Sequence, residues 1–139
     1  MDFETTIDID ADPERVWATL VDVERWPQWT ASMRELTYLD GDGLAPGRRV
    51  RIRQPRLPAL VWEVSELDPG RCFSWRAESP GVTSEGVHLV RSTAAGTSVT
   101  LGIRHSGPLA GIVGRLTGGR TRRYVRMEAE GLKRRCEGP

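Results

Sequence analysis

The 139-residue sequence is short of several things, and each shortage narrows what the chain can be. It has two histidines, His88 and His105, with neither HxxxH nor HExxH spacing, so a histidine-based metal site is not expected. Its two cysteines, Cys72 and Cys136, have no metal-ligand spacing and suggest no disulfide framework, so a reduced cytoplasmic protein is the default expectation. No apolar run approaches the 18 or so residues of a membrane span. The opening Asp2, Phe3 and Glu4 do not resemble a secretory leader. There is no GxSxG, no cysteine close to a histidine, and no glycine-rich phosphate loop after a strand, so neither a nucleophile–base motif nor a cofactor is expected. Lysine occurs once, at Lys133, against 19 arginines, a bias read as the coding habit of a GC-rich genome. With a net charge of +1, no global electrostatic case exists for nucleic acid or an anionic membrane.

What remains is one ordinary domain, residues 1–139, able to build one core and a cavity. Residues 3 to 9, FETTIDI, alternate as a strand. Asp12 and Pro13 then read as the N-cap and first position of a helix carrying Val16, Trp17, Leu20 and Val21. Trp17 is its expected core anchor. A second short helical turn runs to Trp26, before Pro27. From Arg34 the period is two. Six strands follow, divided by Gly-Asp-Gly, Pro-Gly and Ala94–Gly96 turns. Their inward residues include Val50 and Ile52, Trp62 and Val64, Phe73, Trp75 and Ala77, and Val99, Leu101 and Ile103. The short connections require an antiparallel sheet.

After Pro108 the helical period returns for roughly 27 residues, with Leu109, Ile112, Val113, Leu116, Tyr124 and Met127 on one arc. Arg115, Arg122, Arg126 and Lys133 fall on another, read as a solvated face. Gly118–Gly119 predicts a kink or a close backbone approach. The fold class is therefore α+β: a curved antiparallel sheet of about seven strands wrapped around one long C-terminal helix, with two short helices after the first strand. A sheet curled around one helix leaves a space suited to an apolar ligand.

Four stretches carry a family resemblance: DADPERVWATLVDVERWPQW at 10–29, WEVSELDPGRCFSWR at 62–76, GTSVTLGIRHSGPLAGIVG at 96–114 and RRYVRMEAEGLKRRCE at 122–137. The chain resembles the SRPBCC superfamily, the START-like helix-grip proteins, and within it the bacterial polyketide cyclase/dehydrase-like group. The resemblance implies a cavity between sheet and helix that takes a hydrophobic, aromatic or polyketide-like small molecule. Two other readings stay open beside binding: a cyclase/dehydratase enzyme, and an interaction or stress-type domain with a collapsed cavity. A homodimer stays open as well, whereas a nucleic-acid role would need aromatic interleaving and a larger basic excess.

The expected ligand-binding residues are Trp29, Trp62, Trp75, His88, Ile103, Leu116, Tyr124 and Glu128. Trp26 and Trp29, in DVERWPQWTASM, read as a plug at the sheet mouth, with Trp26 in the core and Trp29 nearer the ligand. The alternation around EGVHLVR leaves both faces open for His88, and the resemblance implies that it points inward. His88 and Glu128 are the two catalytic candidates. Glu128 is an acid on a mostly apolar arc, so it either ionises beside an arginine such as Arg120 or Arg135 or stays protonated.

Overall fold

The computed structural model of the chain describes residues 3–138, so Asp2 of the opening stretch lies outside it. Strand β1 (Phe3–Ile9) leads into helix α1 (Pro13–Val21) and a 3-10 helix at Val23–Gln28. Strands β2 (Glu35–Tyr38), β3 (Arg49–Arg53), β4 (Leu60–Asp68), β5 (Cys72–Ser79), β6 (Val82–Thr93) and β7 (Gly96–Ser106) follow, and helix α2 (Ala110–Glu137) ends the fold. The seven strands form one antiparallel sheet in the order β1-β7-β6-β5-β4-β3-β2. Each connection from β2 to β7 is a hairpin, and only β1 crosses the sheet, pairing with β7 from Phe3↔Ile103 to Ile9↔Thr97. A bulge between Val64 and Glu66 breaks the β4–β5 register, the kind of feature that bends a strand. This is the expected α+β helix-grip architecture.

Burial follows the two-residue period. Val50 and Ile52 on β3, Trp62 and Val64 on β4, Phe73, Trp75 and Ala77 on β5, and Val99 and Leu101 on β7 are buried, while Arg49, Arg51 and Arg53 face water. Helix α1 starts as the Asp12–Pro13 pair predicts, but the Asp12 side chain makes no cap hydrogen bond. The first turn instead closes through the Asp12 carbonyl, which accepts from the Val16 N–H at 3.1 Å. The 3-10 helix runs one residue past Pro27. Trp17 is only half-buried and packs its edge on Phe73 with ring centroids 6.3 Å apart, so it flanks the core. The anchor is Trp26. It is fully buried, donates its indole N–H to the Leu20 carbonyl at 2.9 Å, and lies within 5.4–5.7 Å of the rings of Trp29, Trp75 and His88.

The long helix departs from expectation in two ways. Its buried residues are Gly114, Gly118, Tyr124, Val125, Glu128, Ala129, Gly131, Leu132 and Cys136. The arc of Leu109, Ile112 and Leu116 is not among them, and Leu116 is 80% exposed. The reason is rotational: Leu116 precedes Glu128 by 12 residues, about 120° around the helix. The C-terminal half, where the large residues pack, sets which side faces the sheet, and the N-terminal half must follow with glycines. The second departure concerns the glycines themselves. The helix is unbroken through Gly118–Gly119, and a β-carbon on Gly119 would meet nothing within 4 Å. A close backbone approach occurs further along the helix, at Gly131. A β-carbon on Gly131 would stand 2.1 Å from the carbonyl oxygen of Trp29. The basic arc is also less idle than a solvated face. The Arg126 guanidinium lies 5.1 Å from the centre of the Phe3 ring, and Lys133 Nζ donates to the Asp8 carbonyl at 2.8 Å, so both tie α2 to β1.

These contacts predict opposite signs for two identical substitutions. Gly119→Ala should stabilise the protein by up to about 1 kcal/mol through helix propensity. Gly131→Ala should destabilise it by roughly 1–3 kcal/mol or more, because only a backbone shift can clear the Trp29 carbonyl. Urea unfolding measures both. By the same method Trp26→Ala should cost roughly 3–5 kcal/mol and Trp17→Ala distinctly less, since only the first empties a closed site.

Candidate functional site

Between α2 and the middle of the sheet lies a cavity of about 70 Å³. That volume is room for about two waters and is less than half of the roughly 150 Å³ that admits a benzene ring. Six of the expected residues line it: Trp62, Trp75, His88, Ile103, Tyr124 and Glu128. Two do not. Leu116 points to solvent, for the rotational reason given above. Trp29 is buried behind Trp26 and packs on Gly131, touching only shallow outer depressions. Trp26 is in the core as expected, but of the two neighbouring tryptophans it, and not Trp29, is the one on the cavity wall. The 3-10 geometry decides this, since Trp29 closes the helix at φ −131° and leaves the turn that carries Trp26.

The cavity wall also includes residues the sequence did not single out. Gln54 and Leu57 come from the β3–β4 connection, where no periodic signal exists. This connection is held to α2 by the Tyr124 hydroxyl, which donates to the Pro55 carbonyl, and by Arg120, which donates to the Arg56 carbonyl at 3.3 Å. Gly86 is on the wall as well. A β-carbon there would come within 2.8 Å of the Trp75 indole nitrogen, so this position lets the Trp75 ring lie across β6. A glycine in the interior of a strand was the available signal.

His88 faces inward, as Gly86, His88 and Val90 share the buried side of β6. Its ring stacks on Phe73, with centroids 4.0 Å apart and planes within 9°. Its Nδ1 lies 3.0 Å from the Phe73 carbonyl oxygen. A carbonyl can only accept, so Nδ1 carries the proton, and in the neutral ring Nε2 is left as an acceptor. Burial pushes the histidine down to about 4, against a smaller opposing pull from the Phe73 carbonyl, so the ring is neutral at pH 7. Glu128 enters the same cavity from the helix and is buried. Neither expected arginine reaches it: Arg120 is bonded to Arg56, and Arg135 donates to Gln28. Among the described residues no ion pair includes it. Burial alone raises its carboxyl to about 8, so near neutral pH it is chiefly protonated. An aromatic cavity thus holds a neutral acceptor on the sheet and a neutral donor on the helix. Among the described residues no three His, Cys, Asp or Glu side chains converge as metal ligands.

The two groups act on stability with opposite signs. Glu128 titrates at about 8 in the fold against 4.5 when free, so the stability it permits is full below pH 4.5 and is lost as pH rises through 8. His88 titrates at about 4 against 6.5, so its contribution is full above pH 6.5 and is lost as pH falls toward 4. Glu128→Gln isolates the first effect. Its melting temperature should match that of the native chain at pH 4.5 and exceed it by on the order of 5 °C or more at pH 8. A carbon-13 titration of the Glu128 carboxyl should show a midpoint near 8, and a midpoint at or below about 4.3 would defeat the assignment.

Several solved structures share this fold. A hypothetical protein from Helicobacter pylori is similar at a TM-score of 0.80 and 16% identity, over 97% of this chain and 86% of that one. The Zhui aromatase/cyclase from a Streptomyces species is similar at a TM-score of 0.79 and 18% identity, over 99% and 93% of the two chains. A protein from Thermus thermophilus is similar at 0.76 and 18% identity, over 98% and 97%. At these identities the likeness concerns the fold. Comparison with curated protein sequences finds no match. The family model described as polyketide cyclase / dehydrase and lipid transport matches residues 1–137. With the helix-grip fold and a family match over nearly its whole length, the chain belongs to the polyketide cyclase/dehydrase and lipid transport family of the SRPBCC superfamily.

Proposed function

We propose that this protein binds a hydrophobic, ring-bearing small molecule in the cavity between the sheet and α2. The observation that carries the reading is that Trp26, Trp62 and Trp75 line one space into which His88 and Glu128 both project as neutral polar groups. Flat apolar surface supplies the affinity, and the acceptor and donor orient a ligand that carries a hydroxyl or carbonyl group. The space is smaller than such a ligand, so binding must displace part of the wall. The β3–β4 connection, with Leu57 on the wall and Arg56 at the left-handed φ of 62°, is the element to move. Both cysteines are free thiols, which suits a reducing cytoplasm.

A cyclase/dehydratase reading is favoured by one group, Glu128. A protonated carboxyl can deliver a proton to a departing hydroxyl of a β-hydroxy carbonyl compound while His88 Nε2 takes the α-hydrogen as a proton, so that water leaves and an alkene forms. The proton then passes from histidine back to glutamate. At about 4, however, His88 is a weak base, which is why binding stands as the first reading.

Titration with 2-naphthol, followed by tryptophan quenching, should saturate. His88→Phe and Glu128→Leu should each weaken it by about fivefold or more, the loss of one hydrogen bond, while Trp29→Phe leaves it unchanged. Absence of saturable quenching, together with a bare mass for freshly purified protein in native mass spectrometry, would remove the binding reading. Under the enzymatic reading Glu128→Gln abolishes turnover of a β-hydroxy ketone and keeps naphthol binding.

A further inference from the structure

The net charge of +1 conceals a strongly uneven distribution. From Ser106 to Met127 there is no acidic residue, and five arginines fall in that stretch: Arg115, Arg120, Arg122, Arg123 and Arg126. Among the described residues none of Arg115, Arg120, Arg123 and Arg126 enters an ion pair. The same stretch carries the apolar residues the core leaves out. Leu109 is 42%, Ile112 58% and Leu116 80% exposed, at the i, i+3, i+7 spacing that puts them on one side of a helix. The remaining large exposed hydrophobics among the described residues, Leu39, Val61 and Leu89, belong to three different strands or their ends. One turn beyond Leu116 on the same side comes Arg120, and near the second turn comes Arg123.

We propose that the first half of α2 docks on an anionic lipid bilayer, with Leu109, Ile112 and Leu116 entering the acyl boundary and the exposed Arg115 and Arg123 held at the headgroups. The charge distribution selects this partner. An apolar stripe collared by cations and free of acids matches a negatively charged interface with an apolar interior, whereas a nucleic acid would have no use for the stripe. Each arginine near such a surface contributes about fivefold in affinity, so the attraction depends on salt and on lipid charge. Packing supplies an independent argument. In the N-terminal half of α2 the buried positions are glycines, Gly114 and Gly118, and the large side chains of Ile112 and Leu116 are exposed. Thr121 and Tyr124, one and two turns further, are on the cavity wall, so a docked helix would bring the cavity close to the bilayer. The proposal concerns this surface and stands whether or not the cavity binds a ring compound.

The test is co-sedimentation of the full chain with phosphatidylcholine vesicles, with and without phosphatidylglycerol, at low and high salt. The expected result is binding to the phosphatidylglycerol vesicles at low salt, lost at high salt and absent with phosphatidylcholine alone. Ile112→Ser/Leu116→Ser should weaken it by about tenfold or more through the lost apolar insertion, and Arg115→Gln/Arg123→Gln by a similar factor. Both pairs contain exposed residues, so melting temperatures should stay close to that of the native chain. No sedimentation with anionic vesicles, equal binding to both vesicle types, or undiminished binding of the Ile112/Leu116 variant would overturn the proposal. So would a dimer in equilibrium sedimentation that the Ile112/Leu116 variant dissolves, since the face would then belong to a second copy of the chain.

Discussion

The contact between Gly131 and the carbonyl of Trp29 is the constraint on which the rest of the structure depends. It brings α2 against the residue that closes the 3-10 helix, more closely than any side chain permits. It thereby sets both how far the helix stands from the sheet and which way it is rotated. Trp26 is wedged beneath this contact, bonded to the end of α1 through the Leu20 carbonyl and packed on Trp75 and His88 of the sheet. The two short helices and the sheet thus meet around one indole. The cavity is what remains on the open side of that junction.

The rotation has two consequences that look unrelated. It turns Glu128 inward, where burial without a cation keeps the carboxyl protonated near neutrality. It also turns Leu116 and Ile112 outward, because they lie on another arc of the same rigid helix. Both features oppose the ordinary rule that acids face water and leucines face the core. In a single helix of 28 residues they share one cause, since the side that faces the sheet cannot differ freely between its two halves.

The site is correspondingly a composite. His88 is held by its strand, by the stack on Phe73 and by the Phe73 carbonyl, so its tautomer is determined before anything binds. Glu128 has only burial acting on it, and is the group more responsive to what enters the cavity. A rigid acceptor facing an adaptable donor suits recognition of a neutral polar group on an otherwise apolar ring. The wall able to yield is the β3–β4 connection, tied to α2 by the Tyr124 and Arg120 hydrogen bonds alone among those described.

The sequence by itself determined the periodic elements and their order. Alternation at Val50–Ile52, Trp62–Val64 and Phe73–Ala77 needs no partner to be read, since each strand buries one side. Short connections between those strands admit only antiparallel pairing, and the Asp12–Pro13 start of α1 is a local preference. Of the six proposed site residues on the cavity wall, Trp62, Trp75 and Ile103 were legible from the same alternation and Tyr124 and Glu128 from the helical period, whereas only the family resemblance put His88 inward. What depended on contacts distant in sequence was not. The place of Trp26 rather than Trp29 on the cavity wall, the exposure of Leu116, the neutral state of Glu128 and the cavity wall at Gln54 and Leu57 all follow from where α2 lies on the sheet. That placement is decided by the approach of Gly131 to a backbone carbonyl about a hundred residues earlier, and no local pattern in the chain encodes such a contact.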